Sequence, residues 1–337
     1  YSLKSAISKR ILTSDRPVGA LLSGGLDSSI ICAISQEILR ENNRPPLQTF
    51  SIGLNGSEDL KYSRQVANHI GSIHHQITLS ESMFLDAIPN VIYDIESYDT
   101  TTVRASVGNY LLGKYISQHS EAKVIFNGDG SDEVAGGYLY LLKAPDSLEF
   151  NAECRRLLKD IHAFDVLRSD KSISSHGLEP RTPFLDKSFV STYLNMPVSL
   201  RNPRHNSGTQ PEKYFLRSIV QKMFPTLLPL EVLWRQKEAF SDGVSGNGGT
   251  WYKIIERNMK DIEVVNPTLE PDINFPTTPE QQYYRMIFDE KYPGSVAAKR
   301  LVDDPSTVND TEVCAPKEGV FHNKRSAIFA DVCADNR

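Results

Sequence analysis

Cysteine is scarce in this sequence. There are four among 337 residues, Cys32, Cys154, Cys314 and Cys333, and no two form a CxxC pair. A disulfide framework or a structural zinc site needs regular, close spacing, so both are set aside and a reducing compartment is expected. No apolar run approaches the roughly 20 residues of a membrane-spanning helix. Residues 1–10 lack the charged-then-apolar order of a secretory signal. A cytoplasmic protein with no membrane partner is the expectation. Positive charge is not in excess either: the formal net charge is −5 and the sequence pI is near 5.9. That balance argues against a nucleic-acid surface spread over the whole protein. Internal repeats, low-complexity blocks and a Walker-type GxxxxGKS/T loop are all missing. Residue 1 is Tyr and not Met, so the start codon is expected upstream.

The composition, 39% hydrophobic and 23% charged, is that of an ordinary globular chain, long enough for one large α/β domain or two smaller ones. Residues 3–12 read as an amphipathic helix. The apolar run 18–22 ends at glycines and reads as a strand buried on both faces. Ile30, Ile34 and Ile38, with Ile31 and Leu39, then recur at helical spacing. Strand over 47–54, helix over 59–70 and strand over 75–79 continue the alternation. Helical stripes follow at Phe84, Ile88, Ile92 and Ile95 and at Val103, Val107, Leu111 and Tyr115, then a short strand at 124–126. This alternation predicts an α/β fold: a parallel twisted sheet flanked by helices, with ligands at the carboxyl ends of its strands. From about residue 138 strand signals fade. Helices are expected over 153–167 and 211–223, a proline-punctuated loop over 178–186 and a mobile loop over 241–250. The expected layout is a sheet over about 15–140, a mostly helical part over about 141–294, and a tail of no assignable role over 295–337.

The chemistry concentrates in Ser23-Gly-Gly-Leu-Asp-Ser-Ser29, between the first strand and its helix. Gly24 and Gly25 permit a sharp turn and close backbone approach. The free amides at the helix start favour phosphate, and Ser23, Ser28 and Ser29 add donors. Asp27 supplies the carboxylate that Mg²⁺ takes together with phosphate oxygens. His74-His75 is not a metal site on this reading, because neighbours on a strand point to opposite faces and no third ligand is near. Lys237, within Arg-Gln-Lys-Glu, also reads as part of a solvated charged run. Asp132-Glu133 also reads as an acidic pair at a helix N-terminus, and Arg181 and Asp186 as mutual partners holding a loop.

The seven-residue turn resembles the pyrophosphate-binding motif of ATP pyrophosphatases, which split ATP between the α- and β-phosphates. Further stretches resemble one branch of that group, the asparagine synthetases. They are Phe50-Ser-Ile-Gly-Leu54 and the segment Ile95-Glu-Ser-Tyr-Asp-Thr-Thr-Thr-Val-Arg-Ala-Ser106, similar to IETYDVTTIRAS. Trp234-Arg-Gln-Lys-Glu-Ala-Phe-Ser-Asp-Gly243 is similar to RQKEQFSDG. Gly130-Ser-Asp-Glu-Val-Ala-Gly-Gly-Tyr138, Arg181-Thr-Pro-Phe-Leu-Asp186, Tyr283-Tyr-Arg285 and Tyr292-Pro-Gly294 also match, so the resemblance runs from about residue 3 to residue 294.

The resemblance implies adenylation of the aspartate side chain by ATP and Mg²⁺, followed by replacement of AMP with ammonia. Leu22, Ile52, Asn127 and Gly128 would contact the nucleotide. Ser23, Gly24, Gly25, Asp27 and Ser28 would grip pyrophosphate, Asp27 and Asp132 would share Mg²⁺, and Lys237 would offset charge on the leaving group. Thr101, Thr102, Arg104, Arg181 and Asp186 are candidates for aspartate binding or site support.

Two departures stand out. The family loop SGEGSDE reads Asn127-Gly-Asp-Gly-Ser-Asp-Glu133 here, which places Asp129 where a glutamate handles proton transfer. Its arm is shorter by one methylene, about 1.5 Å, and a misplacement near 1 Å can cost about a hundredfold in rate. Glutamine-dependent members also begin with a glutaminase domain whose first residue is a catalytic cysteine, and nothing like it stands in these residues. A truncated or cleaved chain, a separate glutaminase subunit and direct use of free ammonia remain open, as does a homodimer. The competing readings are an amide-forming relative of the β-lactam synthetase kind, whose site recruits a tyrosine–glutamate pair, and a non-catalytic nucleotide-binding paralogue.

Overall fold

The computed structural model describes residues 1–204, 210–237, 243–246, 248–264 and 276–293. Its centre is a five-stranded, all-parallel sheet in the order β3-β2-β1-β4-β5. The strands are β1 (Val18–Leu21), β2 (Gln48–Leu54), β3 (Ile73–Leu79), β4 (Val124–Phe126) and β5 (Glu179–Arg181). Strand order reverses direction between β1 and β4, the crevice where open α/β sheets bind ligands.

Alternate side chains of each strand feed two cores, one on each face. On one face Ala20, Val124 and Phe126 pack with α1 (Ser2–Leu12), α2 (Leu26–Glu41) and α3 (Glu58–Ile70). On the other, Phe50, Ile52 and Ile125 pack with α4 (Glu81–Ile95) and α5 (Thr100–His119). The helices between β2, β3 and β4 start at side-chain caps. Ser57 Oγ accepts from Leu60 N–H and Ser80 Oγ from Met83 N–H, and Asp99 Oδ1 accepts from Thr102 N–H at 2.7 Å.

After β4 come α6 (Ser131–Ala135), α7 (Ser147–Asp160), α8 (Asp165–Ser174), α9 (Lys187–Leu194), α10 (Val198–Arg201), α11 (Tyr214–Met223), α12 (Leu230–Leu233), α13 (Trp251–Met259) and α14 (Pro279–Lys291). Helices α9, α11 and α12 complete the first core. Helices α13 and α14 complete the second, with Trp251 and Tyr284 fully buried.

Three expectations need correction here. The helix expected over 153–167 is two helices, because the chain breaks at Phe164 (φ −123°, ψ −104°) and restarts at Asp165. The loop expected over 178–186 contains β5, an edge strand whose Pro180 lacks a ladder donor and whose short run hides its periodicity. The helix expected over 211–223 begins at Tyr214, because Lys213 is left-handed (φ 56°). The 241–250 loop is described in part, and the tail from residue 294 lies outside the described residues.

Candidate active site

The glycine turn sits between β1 and α2, at the reversal point of the sheet. Gly24 has φ +77°, and a Cβ there would lie 2.5 Å from the backbone nitrogen of Ser63 on α3. A side chain is barred both by conformation and by space. Within the turn, Ser28 Oγ accepts from Ser23 N–H at 3.2 Å and lies 3.0 Å from Ser23 Oγ. Gly25 caps α2 without any side-chain bond, so the amides of the first turn have no side-chain acceptor. Leu22 follows β1 and Ile52 lies within β2, and both side chains are buried.

Four charged groups meet beside this turn. Lys213 Nζ lies 2.6 Å from Asp27 Oδ2 and 2.5 Å from Asp132 Oδ1, while Lys237 Nζ lies 2.5 Å from Asp132 Oδ2. Asp132 Oδ1 receives no well-angled hydrogen bond, so its contact with Lys213 is an ion pair. The other oxygen of Asp27 accepts from Ser131 Oγ at 2.7 Å. The result is an alternating row, Asp27–Lys213–Asp132–Lys237. Gly137 makes room for it: a Cβ there would stand 1.9 Å from Asp132 Oδ1 and 2.1 Å from Lys213 Cε. Burial opposes ionisation of Asp132, yet Lys213 and Lys237 hold its carboxyl well below the usual range. Burial likewise opposes the charge of Lys237, but Asp132 and Asp27 hold its proton well above the usual lysine range. Arg235 brings Lys237 in by anchoring the segment to α3. It pairs with Asp59 at 2.9 Å and lies 4.3 Å over the Tyr62 ring.

Asp27 and Asp132 both address the point held by Lys213 Nζ. Mg²⁺ is commonly held by one or two carboxylates plus phosphate oxygens and water, so this donor pair fits it. Among the described residues, no group of three or more His, Cys, Asp or Glu is assembled for a metal. His74 and His75 do face opposite ways. His74 bonds Thr49 Oγ1 (2.9 Å) and Ser51 Oγ (3.2 Å), and His75 stacks on Phe50.

Beyond Lys237 lies an acidic group. Tyr138 Oη donates to Glu133 Oε1 at 2.5 Å and reaches Asp165 Oδ2 at 3.3 Å, and Arg168 pairs with Asp165. Burial, with Asp165 and Asp132 close by, pushes the Glu133 carboxyl up to about 8. Asp129 keeps partial solvent access. The protein massed around it pushes its carboxyl up to about 6, against the pull of Ser169 and Arg168.

The remaining candidates stand elsewhere. Arg104 is engaged by Glu280 of α14 (Nε to Oε1, 2.7 Å) and lies 4.6 Å from the Tyr252 ring centre. Thr102 is buried in the first turn of α5 and Thr101 is exposed. Arg181 and Asp186 do not pair with each other as expected; both fasten α1. Arg181 Nη1 donates to Arg10 O at 2.9 Å, and Asp186 takes Arg10 at 2.9 Å and Lys9. Burial opposes the Asp186 charge, but the bonds from Lys9 and Arg10 outweigh it and hold the carboxyl at about 2. Lys213, Ser131, Tyr138, Asp165, Arg168 and Ser169 were not singled out in the sequence. Lys213 carried no local signal, being 24 residues from Lys237 in a segment that reads as plain helix.

Comparison with known proteins bears on this arrangement. The asparagine synthase family model matches residues 1–152 and 143–301. A glutamine-hydrolysing asparagine synthetase from Gallus gallus is 45% identical over 296 residues, 86% of this chain and 52% of that protein. The Homo sapiens protein of the same description is 44% identical over 331 residues, 97% of this chain and 57% of that one. The chain thus spans about half the length of the curated relatives it matches. Among solved structures, NAD+ synthetase from Burkholderia Pseudomallei superposes with a TM-score of 0.30 and 15% identity. It covers 68% of this chain and 90% of that one, a likeness too low to add to what the sheet order says. Matched along nearly its whole described length, this chain belongs to the asparagine synthase family.

Proposed function

We propose that the chain catalyses ATP-dependent asparagine synthesis. The aspartate side-chain carboxylate attacks the α-phosphorus of ATP, pyrophosphate leaves, and the β-aspartyl-AMP formed is attacked by ammonia, which expels AMP. The observation that carries this reading is the row Asp27–Lys213–Asp132–Lys237 beside an open glycine turn.

In this reading Ser23, Gly24, Gly25, Ser28 and the α2 amides bind the departing pyrophosphate. Lys237 and Lys213 are fixed cations aimed at the charge that develops on it. Leu22, Ile52, Asn127 and Gly128 frame the nucleotide. Mg²⁺, held by Asp27 and Asp132, supplies neutralisation of phosphate charge. Asp129, ionised above about pH 6, takes the proton that ammonia sheds on attack. Thr101 and Thr102 remain aspartate-side candidates, whereas Arg104, Arg181 and Asp186 act as supports through their bonds to α14 and α1.

Ammonia comes from glutamine through a glutaminase domain or subunit, or is used free; the relatives' description as glutamine-hydrolysing supports the first. We place the protein in the cytoplasm, with the sheet and helical parts forming one synthetase unit over residues 1–294. A second reading has one observation behind it. The Tyr138–Glu133 pair is of the kind that β-lactam synthetases use to cyclise their own substrate.

The test is incubation with Mg-ATP and aspartate, with and without ammonium, measuring pyrophosphate and asparagine. Asparagine appearing only with ammonium is the expected result. Pyrophosphate without asparagine would mean that aspartate is adenylated but not aminated, and no pyrophosphate from folded protein would sink the aspartate reading.

A further inference from the structure

Lys213 reaches its two carboxylates from an enforced backbone position. Its left-handed conformation (φ 56°, ψ 24°) is one that a side chain opposes and that persists only where the surroundings dictate it. The enforcement comes from the residue before it. Arg217 Nε donates to Glu212 O at 2.9 Å, Arg217 Nη1 donates to Leu233 O at 2.5 Å, and Arg217 also pairs with the Glu212 carboxylate. Glu212, Lys213 and Arg217 are all buried. This frame delivers the Lys213 ammonium to one point, between Asp27 Oδ2 and Asp132 Oδ1. The two oxygens are served unequally there. Asp27 Oδ2 accepts a hydrogen bond from Lys213 Nζ at 2.6 Å. Asp132 Oδ1 lies 2.5 Å from the same nitrogen, yet it is a buried oxygen with no hydrogen-bond partner. An ammonium must aim its N–H bonds, whereas a metal ion takes a carboxylate oxygen by charge alone. The pair therefore suits a divalent cation better than it suits a lysine. The lysine stem fills the space over Gly137, so the point takes one cation at a time.

We infer that Lys213 is a resident counter-ion for the metal site. Its ammonium holds the place of Mg²⁺ between Asp27 and Asp132, and yields it when a polyphosphate on the glycine turn offers other anionic oxygens. The inference rests on the reading of Asp27 and Asp132 as the Mg²⁺ carboxylates and deepens it: the metal is accepted together with polyphosphate, not ahead of it. The exchange keeps the two carboxylates neutralised throughout, which matters because an uncompensated buried charge is strongly destabilising. Lys237, on the other oxygen of Asp132, keeps its partner during the exchange. A metal site whose place is held by a lysine binds free metal more weakly, by the fraction of molecules in which the lysine is away.

The experiment uses the full chain and Mn²⁺ alone, with free ion counted by electron paramagnetic resonance. Lys213→Met and Lys213→Gln should bind Mn²⁺ about tenfold tighter than the parent, or more. Lys213→Arg, which keeps a cation, should gain nothing, and adding Asp27→Asn to either neutral variant should remove the gain. Equal affinity in the parent and both neutral variants, or a gain that survives Asp27→Asn, would overturn the inference. Should neither neutral variant fold, the parent decides it through ¹⁵N NMR of the Lys213 ammonium, assigned with Lys213→Arg. That signal should stay in place with Mg²⁺ alone and shift with Mg²⁺ and pyrophosphate together. A shift with Mg²⁺ alone, or no shift when calorimetry shows pyrophosphate bound, would end the idea. If neither Mg-ATP nor pyrophosphate binds, the functional reading falls first, and the Mn²⁺ comparison still judges whether Lys213 holds the place of a metal.

Discussion

At the scale of single residues, the two lysines of the charged row differ in kind. Lys237 is 22% exposed along its side chain and pairs, among the described residues, with one carboxylate, Asp132, whereas Lys213 is 1% exposed and wedged between two carboxylates. Lys237→Ala should therefore fold normally and lose pyrophosphate release by about a hundredfold or more, read by a pyrophosphate assay. Lys213→Met should cost about 3–5 kcal/mol of stability in denaturant melts, because it removes the cation beside Asp27 and leaves Asp132 with Lys237. Mg²⁺ should recover part of that loss, since the two carboxylates then need a cation. Asp129 gives a pH signature with a definite sign. Its carboxyl titrates near 6 when folded, against an ordinary value of 3.8. Amide formation should thus rise through pH 6 and level off above it. The folded state holds this proton more tightly than the unfolded chain does, so Asp129 opposes stability above pH 6, and the penalty fades as pH falls toward 4. Asp129→Asn should abolish the acid limb and the amide product while raising stability at pH 7 by about 1 kcal/mol after allowance for its partial exposure.

At the scale of elements, α1 is a strap. It is fastened by Arg10 to Asp186 and to Arg181, and so ties the start of the chain to β5 and α9. Asp186 sits at about 2 when folded, so its stabilisation is full above about pH 4 and is lost as pH falls from there to 2. Asp186→Asn should cost about 2 kcal/mol at pH 7 and almost nothing at pH 2, a comparison that urea melts at the two pH values make directly. Elements with a long apolar run or a cap beside them were legible in the sequence: β1 before its glycines, α3 between Ser57 and Gly71, α5 behind Asp99. From the residues themselves the site was legible where they are neighbours in the chain, as in the turn 23–29; Asp132 and Lys237 were singled out through the family resemblance. Ser169 joins Asn127 from 42 positions away and Lys213 joins Asp27 from 186 away. Neither carries a periodicity or a turn signal, and such contacts are decided by the packing of α8 and α11, not by local pattern. The break at Phe164 was invisible for a related reason: apolar residues continue at helical spacing across it, and what stops the helix is a backbone angle.

For the whole molecule, the sheet reversal places the glycine turn and the first turns of α2 and α6, which carry Asp27 and Asp132, at the strand ends. Both lysines arrive from residues beyond 210. Ligand binding should therefore stabilise the molecule as one piece. Mg-ATP at 100 times its dissociation constant should add about 2.7 kcal/mol to unfolding, and Asp27→Asn should abolish that increment in thermal melts. The same division of labour has a consequence during synthesis. A nascent chain folds from its N-terminal end as it emerges, and when the first 140 residues are out, Asp27 and Asp132 are present without either lysine. A crevice formed at that stage should therefore hold two carboxylates without their lysines, until Lys213 enters the gap that Gly137 leaves open.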